Sequence, residues 1–209
     1  AHAFELEGKR YFTGFTTLTD GEGASAGEAV QEDGNVAFGQ ATFELTGNDG
    51  QQAWKALATD GYVGEFGRND QADAIDANRS AAEHALSDGR LLLAVPTGRF
   101  DRGVSYRRFA LFLFNRAGEE DQNFRMWTYV GLIEAGIENS AMCEGGVVAC
   151  TKSTGTLSFE GESVGALPQI RIILTGNTVV GPGEARNLGP QDALVYRFDV
   201  DAGRYALME

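Results

Sequence analysis

The sequence predicts a mainly β protein whose C-terminal half is an antiparallel β-barrel or a sandwich. Runs of aromatic and β-branched residues recur about every ten residues, and Gly-rich turns separate them. The 209 residues include 28 Gly but only 4 Pro, and they suffice for one large domain or two small ones. We predict a β-rich N-terminal part with two short helices over residues 1–90 and an antiparallel β-barrel over residues 91–209.

Two strands are predicted in the N-terminal part. Arg10–Asp20 is rich in aromatic and β-branched residues, and Asn35–Thr46 alternates, with Phe43 and Leu45 on the side opposite to the polar residues between them. Asp20–Asn35 connects them and is rich in Gly, Ala, Glu and Asp, which is typical of a loop.

The two helices are predicted from spacing. Gln51–Thr59 carries Trp54, Leu57 and Ala58 at helical intervals, and Gln71–Ser87 carries a similar stripe. The residues on that second stripe are Ala72, Ile75, Arg79, Ala82 and Leu86.

The C-terminal half carries the densest strand pattern. We predict strands at Leu91–Val95, Tyr106–Asn115, Phe124–Ile133, Ser140–Cys143, Val147–Thr151, Thr156–Glu160, Ile170–Leu174, Ala193–Val200 and Arg204–Leu207. The segment Phe109–Phe114 is apolar on both faces, whereas a half-exposed strand would alternate. This segment is therefore either a central strand covered on both faces or a surface for a ligand, a partner or a membrane. If it is a central strand, the two predicted helices could cover its outer face.

The two cysteines predict export. A two-residue turn at Gly146-Val147 would place Cys143 opposite Cys150, at the Cα separation that a disulfide accepts. A disulfide indicates a secreted or cell-surface protein, whereas two free buried thiols would indicate a cytosolic one. The opening Ala1-His2-Ala3 matches the small-x-small pattern found before a signal-peptidase cut, although chance gives the same pattern.

Charge and hydropathy exclude two kinds of partner. Seventeen Lys and Arg against thirty Asp and Glu give a net charge of −13, which excludes a nucleic-acid partner and a polybasic membrane-surface helix. No run of 18 apolar residues occurs, so we predict no transmembrane helix.

The candidate site residues are few. His84 is either a solvated surface histidine or a metal ligand, in particular an axial ligand to a haem iron. Arg107 and Arg108 precede the apolar strand and either pair with acids or bind an anionic group such as a haem propionate. Tyr129, on the face of its strand opposite to Val130, completes this set of ligand-binding candidates. With two histidines and two cysteines, the chain alone cannot supply a three-histidine or four-cysteine metal site.

The layout of Ala1–Arg90 and Leu91–Glu209 resembles that of the hemophilin-like proteins, which a Slam-type system secretes. Those proteins pair an N-terminal ligand-binding part with a C-terminal barrel. The resemblance implies a secreted haem carrier with histidine ligation, in which His84 is the internal candidate. A two-histidine site would also need His2, which is where this sequence departs from the pattern.

Three functions remain open at this point. The first is a non-enzymatic binding protein for haem or a similar small apolar ligand, since no nucleophile elbow, phosphate loop or dinucleotide motif occurs. The second is an adhesin or surface subunit whose apolar strand buries a protein receptor. The third is a carbohydrate-active enzyme with a carboxylate or tyrosine dyad on a β-sandwich.

Overall fold

A computed structural model describes residues 1–18, 36–47, 53–66, 73–115, 125–143, 148–161 and 167–208. Within these ranges the chain is almost entirely β, in three antiparallel sheets with one helical turn and one 3-10 turn. The predicted loop Asp20–Asn35 lies outside the described residues, as do the predicted strand start at Phe124 and the turn at Gly146-Val147.

The first sheet has four strands in chain order. They are β1 (His2–Leu6), β2 (Lys9–Leu18), β3 (Val36–Leu45) and β4 (Trp54–Phe66). Glu7 and Gly8 form the two-residue turn between β1 and β2 and have φ of 50° and 75°. Positive φ at both positions is what a type I′ hairpin requires, and it explains the glycine there.

The second sheet contains the segment that the sequence shows as apolar on both faces. Its strands are β5 (Ala74–Ile75), β6 (Ala82–Ala85), β7 (Leu91–Asp101), β8 (Val104–Phe114) and β9 (Trp127–Glu138), in the order β5-β7-β8-β9, with β6 also paired to β7. All six residues of Phe109–Phe114 are buried, with at most 7% of any residue exposed. This segment is therefore a central strand covered on both faces, and it offers no surface to a ligand, a partner or a membrane.

The third sheet follows a short connection. The elements are α1 (Ser140–Cys143), β10 (Ser153–Glu160), β11 (Gln169–Gly181), β12 (Glu184–Asn187), a 3-10 turn (Pro190–Asp192), β13 (Leu194–Asp199) and β14 (Arg204–Leu207). The strand order is β10-β11-β13-β14, and β12 folds back on β11. Tyr205 on β14 is buried, and its hydroxyl donates to the carbonyl oxygen of Pro168 at 2.8 Å.

The chain forms two compact units. The first contains residues 1–72, 85–93 and 112–129, and the second contains residues 73–84, 94–111 and 130–209. β7, β8 and β9 contribute residues to both. The division at residues 90 and 91 stays a prediction.

The mainly β class is confirmed, but the two predicted helices are wrong. Residues 54–59 belong to β4, in which the pairing with β3 shifts between Thr42 and Phe43, so that Leu57 is an extra residue. This β-bulge interrupts the alternation of side chains and places Leu57 and Ala58 at an interval that imitates a helix. Residues 73–87 form β5, a turn and β6 instead of the second helix.

The turn inside that second segment has a local cause. The Asp76 carboxylate accepts a hydrogen bond from the backbone of Asn78 at 3.0 Å, and Arg79 binds the same carboxylate at 2.9 Å. Arg79 also donates to the carbonyl oxygens of Thr97 and Arg108 at 2.5 and 2.8 Å. An Asx turn and these hydrogen bonds to neighbouring strands outweigh the helical propensity of the stretch.

No sheet closes into a barrel within the described ranges. β1 and β4 remain at the edges of the first sheet, and β10 and β14 remain at the edges of the third. A barrel needs its first and last strands to pair, and here these pairs do not form. Among the described residues, no helix is long and apolar enough to cross a membrane.

The disulfide is present, although the predicted hairpin around it is wrong. Cys143 and Cys150 are joined with a Cα–Cα distance of 5.1 Å. Ser140–Cys143 is a single helical turn and not a strand, because the backbone of Met142 and Cys143 donates to the carbonyl oxygen of Asn139. Residues 148–151 are also not in a strand, since the Asn139 side chain binds the backbone there at Ala149 and Thr151.

Candidate functional site: an exposed aromatic cleft

Three aromatic side chains line a cleft on the outer face of the first sheet. Phe12 of β2, Phe43 of β3 and Trp54 of β4 surround a volume of about 340 Å³. The rings of Phe12 and Trp54 are 6.0 Å apart and inclined by 59°. Phe12 is 38% exposed and Trp54 is 47% exposed, so the rings face solvent over much of their area. The volume lies at the lower end of the range for small-molecule sites, about 300 to 1,000 Å³.

Strand register places these rings together. Phe12 lies directly opposite Phe43, and the outer positions of the same row are Ala3 on β1 and Ala56 on β4. Trp54 lies opposite Leu45, one row along the sheet. The alanines at both ends of the row are too small to cover the rings, so that the aromatic side chains project from a low surface.

The inner face of the same strands buries three polar side chains among its aromatic rings. Thr13, Gln40 and Thr42 are each at most 3% exposed, although threonine and glutamine commonly face solvent. The Thr42 hydroxyl donates to Gln40 Oε1 at 2.6 Å and accepts from the indole N–H of Trp127 at 3.0 Å. Thr13 Oγ1 lies 3.0 Å from Thr42 Oγ1 and must be the donor, because the Thr42 proton is already directed at Gln40.

The network ends at a carboxylate. Gln40 Nε2 donates to Asp60 Oδ2 at 2.6 Å, so both ends of the Gln40 amide are satisfied. Around these polar groups the inner face packs aromatic rings, including Phe15 on Phe112 with centroids 4.6 Å apart. The strands that carry the cleft are therefore held in register by directional bonds and by close packing.

The second unit contains a cluster of paired charges. Asp73 is fully buried and lies 3.2 Å from Arg108 Nη1, while Arg108 Nε donates to Glu134 Oε1 at 2.9 Å. The guanidinium groups of Arg99 and Arg108 both lie over the ring of Tyr106, at 5.0 and 5.1 Å from its centroid. Burial raises the pKa of Glu134, and the positive charge of Arg108 only partly offsets this effect.

The predicted site residues are distributed over both units, with His84, Arg107 and Arg108 in the second unit and Tyr129 in the first. Arg107 and Arg108 are consecutive on β8, and they bind different acids, since Arg107 lies 3.5 Å from Glu138. Both guanidinium groups therefore already have carboxylate partners in the protein. Tyr129 belongs to the first unit and packs its ring on Phe112, with centroids 5.7 Å apart.

His84 lies on β6, where the structure gives it an aromatic neighbour. Its imidazole is half-buried and stacks on Phe159 of β10, with centroids 5.2 Å apart and an interplanar angle of 28°. His2 lies on β1 with its ring 6.1 Å from that of Phe4. Among the described residues, no group of three His, Cys, Asp or Glu side chains could hold a metal ion.

The aromatic cleft was not predicted from the sequence, although one signal for it exists. Phe43 and Leu45 alternate with Thr42 and Glu44, which shows two distinct faces but not which of them is inside. The usual assumption puts the apolar face inside, whereas Phe43 faces the cleft and Thr42 is buried.

The fold and the cleft define a mainly β protein with an open, aromatic cleft on one sheet. No protein-family model, curated protein or solved structure matches the chain. The resemblance to hemophilin-like proteins accordingly stays an expectation from the sequence.

Proposed function

We propose that the protein is a non-enzymatic binding protein for a small apolar ligand, and that the ligand occupies the cleft of Phe12, Phe43 and Trp54. The single observation that supports this is a group of aromatic side chains on the outer face of the first sheet. Phe12 and Trp54 are exposed there, and they line the cleft together with the half-buried Phe43.

The exposure of these rings has an energetic cost that a ligand offsets. Burying a large apolar side chain stabilises a protein by about 1.5–3 kcal/mol relative to leaving it exposed. Phe12 and Trp54 forgo much of that stabilisation in the free protein, because 38% and 47% of their surfaces stay exposed. A ligand that covers them recovers part of it, and contacts between aromatic rings add about 0.5–1.5 kcal/mol each.

A titration with Nile red, an uncharged apolar dye, tests the proposal. We expect saturable fluorescence enhancement, and we expect Phe12→Ala or Trp54→Ala to weaken the affinity about tenfold, or about 1.4 kcal/mol. Phe100→Ala is the matched control, because Phe100 is 65% exposed on β7 and does not line the cleft. Equal losses in Phe12→Ala and Phe100→Ala, at unchanged melting temperatures, would show that the dye reports general hydrophobicity and that the cleft is not a site.

We separately propose that the second unit binds haem, the ligand that the sequence favours, with His84 as the candidate iron ligand. The support is a half-buried imidazole stacked on Phe159 in the second unit. A haemin titration followed by Soret absorbance tests this assignment separately from the cleft. No Soret shift, or a shift that His84→Ala leaves unchanged, rules out the haem assignment and leaves the apolar cleft open to other ligands.

We also propose that the protein acts outside the cytoplasm. The Cys143–Cys150 disulfide supports this, since structural disulfides persist in oxidising compartments. The test is the location of the protein made from its native gene, measured by immunoblot of the cytoplasmic and exported fractions. Protein found only in the cytoplasm, with both thiols free, would exclude export.

A further inference from the structure

We infer that the cleft binds a flat aromatic ligand that carries a carboxylate, with Arg10 as the residue that binds the charged group. This inference rests on the proposed function, since it names the ligand class of the same cleft. Arg10 is not among the aromatic residues that line the cleft.

Strand geometry places Arg10 at the border of the cleft. Arg10 and Phe12 lie two residues apart on β2, so their side chains emerge from the same face, roughly 7 Å apart along the strand. Tyr11 pairs with Glu44, so Arg10 and Leu45 are the next residues on β2 and β3, and Leu45 pairs with Trp54 on β4. Arg10 thus lies toward the end of the sheet that carries Trp54.

Arg10 is available to a ligand. It is exposed, and no ion pair involves it among the residues that the structure describes. Lys9, the preceding residue, projects from the opposite face and is already bound to Glu44, with Nζ and Oε1 2.9 Å apart. The guanidinium group of arginine forks a carboxylate with two parallel hydrogen bonds, which makes it the suited partner for an anionic group at the edge of an apolar site.

The cleft itself favours a flat ligand over a compact one. On the far side of Phe12, the outer face of β2 continues to Gly14, which pairs with Ala41 of β3. A Cβ built on Gly14 would meet nothing within 4 Å, so the surface beside the two phenylalanine rings is low and open. A planar ring system can therefore cover this floor and contact the phenylalanine rings while its carboxylate reaches toward Arg10.

Glu5 places a negative charge beside the positive charge of Arg10. It lies directly opposite Arg10 on β1, and it is exposed on the same face. Its negative charge weakens the attraction of a carboxylate to Arg10, so removing that charge should act in the opposite direction to removing the charge of Arg10.

The test compares two nearly isosteric probes, 2-naphthoate and the uncharged 2-naphthamide, by isothermal titration calorimetry at pH 7. We expect Arg10→Gln to weaken 2-naphthoate binding about two- to fivefold and to leave 2-naphthamide unchanged, as for an exposed ion pair. Glu5→Gln should strengthen 2-naphthoate binding by up to about twofold, again with no effect on the amide. Lys9→Gln is the matched control, because it removes the same charge from the opposite face, and it should change neither affinity.

The outcomes separate the two proposals. If both probes bind with equal affinity and Arg10→Gln changes neither, the assignment of a carboxylate ligand is overturned while the apolar cleft stands. If Lys9→Gln and Arg10→Gln weaken 2-naphthoate equally, the effect is one of net charge, and the role of Arg10 is again overturned. If neither probe nor Nile red binds, the proposed function itself fails.

Discussion

Replacing Thr42 with valine tests the polar network beneath the cleft. Valine has nearly the shape of threonine, so the substitution removes the hydroxyl and little volume. Three buried groups then lose their partner, namely the indole N–H of Trp127, the Oε1 atom of Gln40 and the hydroxyl of Thr13. Each unsatisfied buried group costs about 1–3 kcal/mol, so we expect a loss of at least about 3 kcal/mol in the free energy of unfolding.

The matched variant is Thr13→Val. It removes a single hydrogen bond and leaves Thr42 bonded to both Gln40 and Trp127, so we expect a loss of about 1 kcal/mol. The assay is urea unfolding followed by tryptophan fluorescence in a Trp54→Phe background, in which the buried Trp127 is the only indole. If Thr42→Val and Thr13→Val destabilise the protein equally, the three-way role assigned to the Thr42 hydroxyl is incorrect.

Three further predictions concern the second unit. Tyr205→Phe should lower the free energy of unfolding by about 1–2 kcal/mol in urea titrations, because it leaves the buried carbonyl oxygen of Pro168 without this donor. Burial also raises the pKa of Tyr205, so the absorbance of its phenolate should appear only on unfolding. The double variant Cys143→Ser/Cys150→Ser should lose about 2.5 kcal/mol by the loop-entropy relation for a separation of 7 residues, and thiol counting on the denatured wild type should find no free thiol. Folding raises the pKa of Glu134, so this carboxyl group destabilises the folded protein increasingly as the pH rises above its ordinary pKa of about 4.5. The melting temperature of Glu134→Gln relative to wild type should therefore increase between pH 4 and pH 7. A difference in melting temperature that does not depend on pH would contradict this.

The strands were predictable from the sequence where one face alternates or where both faces are apolar. Lys9–Leu18, Val104–Phe114 and Arg204–Leu207 all lie where the pattern placed them, within two residues at each end. The disulfide was also predicted correctly, although the prediction assumed a β-hairpin and Cys143 lies in a helical turn. Seven residues of separation allow the two sulfur atoms to meet across a helical turn as well as across a hairpin.

The failures have specific physical causes. β4 was mistaken for a helix because the bulge at Leu57 breaks the two-residue period, and a bulge depends on the neighbouring strand, which local spacing does not reveal. The segment around Arg79 was mistaken for a helix because its hydrogen bonds go to carbonyl groups of β7 and β8, which are distant in the sequence. The candidate set of His84, Arg107, Arg108 and Tyr129 stays a prediction. The structure adds the acids that bind the two arginines, Glu138 and Asp73, which lie far from them in the sequence.

The cleft and the buried network are two consequences of one choice of register. A slip of one residue in β2 and β3 would turn Phe12 and Phe43 inward, and it would turn every side chain of the present inner face outward. The hydrogen bond from Trp127 to Thr42 opposes that slip, because a slipped strand would leave the buried indole N–H without an acceptor. The inner rings Tyr11 and Phe15 oppose it as well, since both pack against aromatic residues of β8. The contacts of the inner face thereby hold Phe12 and Phe43 at the surface, where the proposed ligand would meet them.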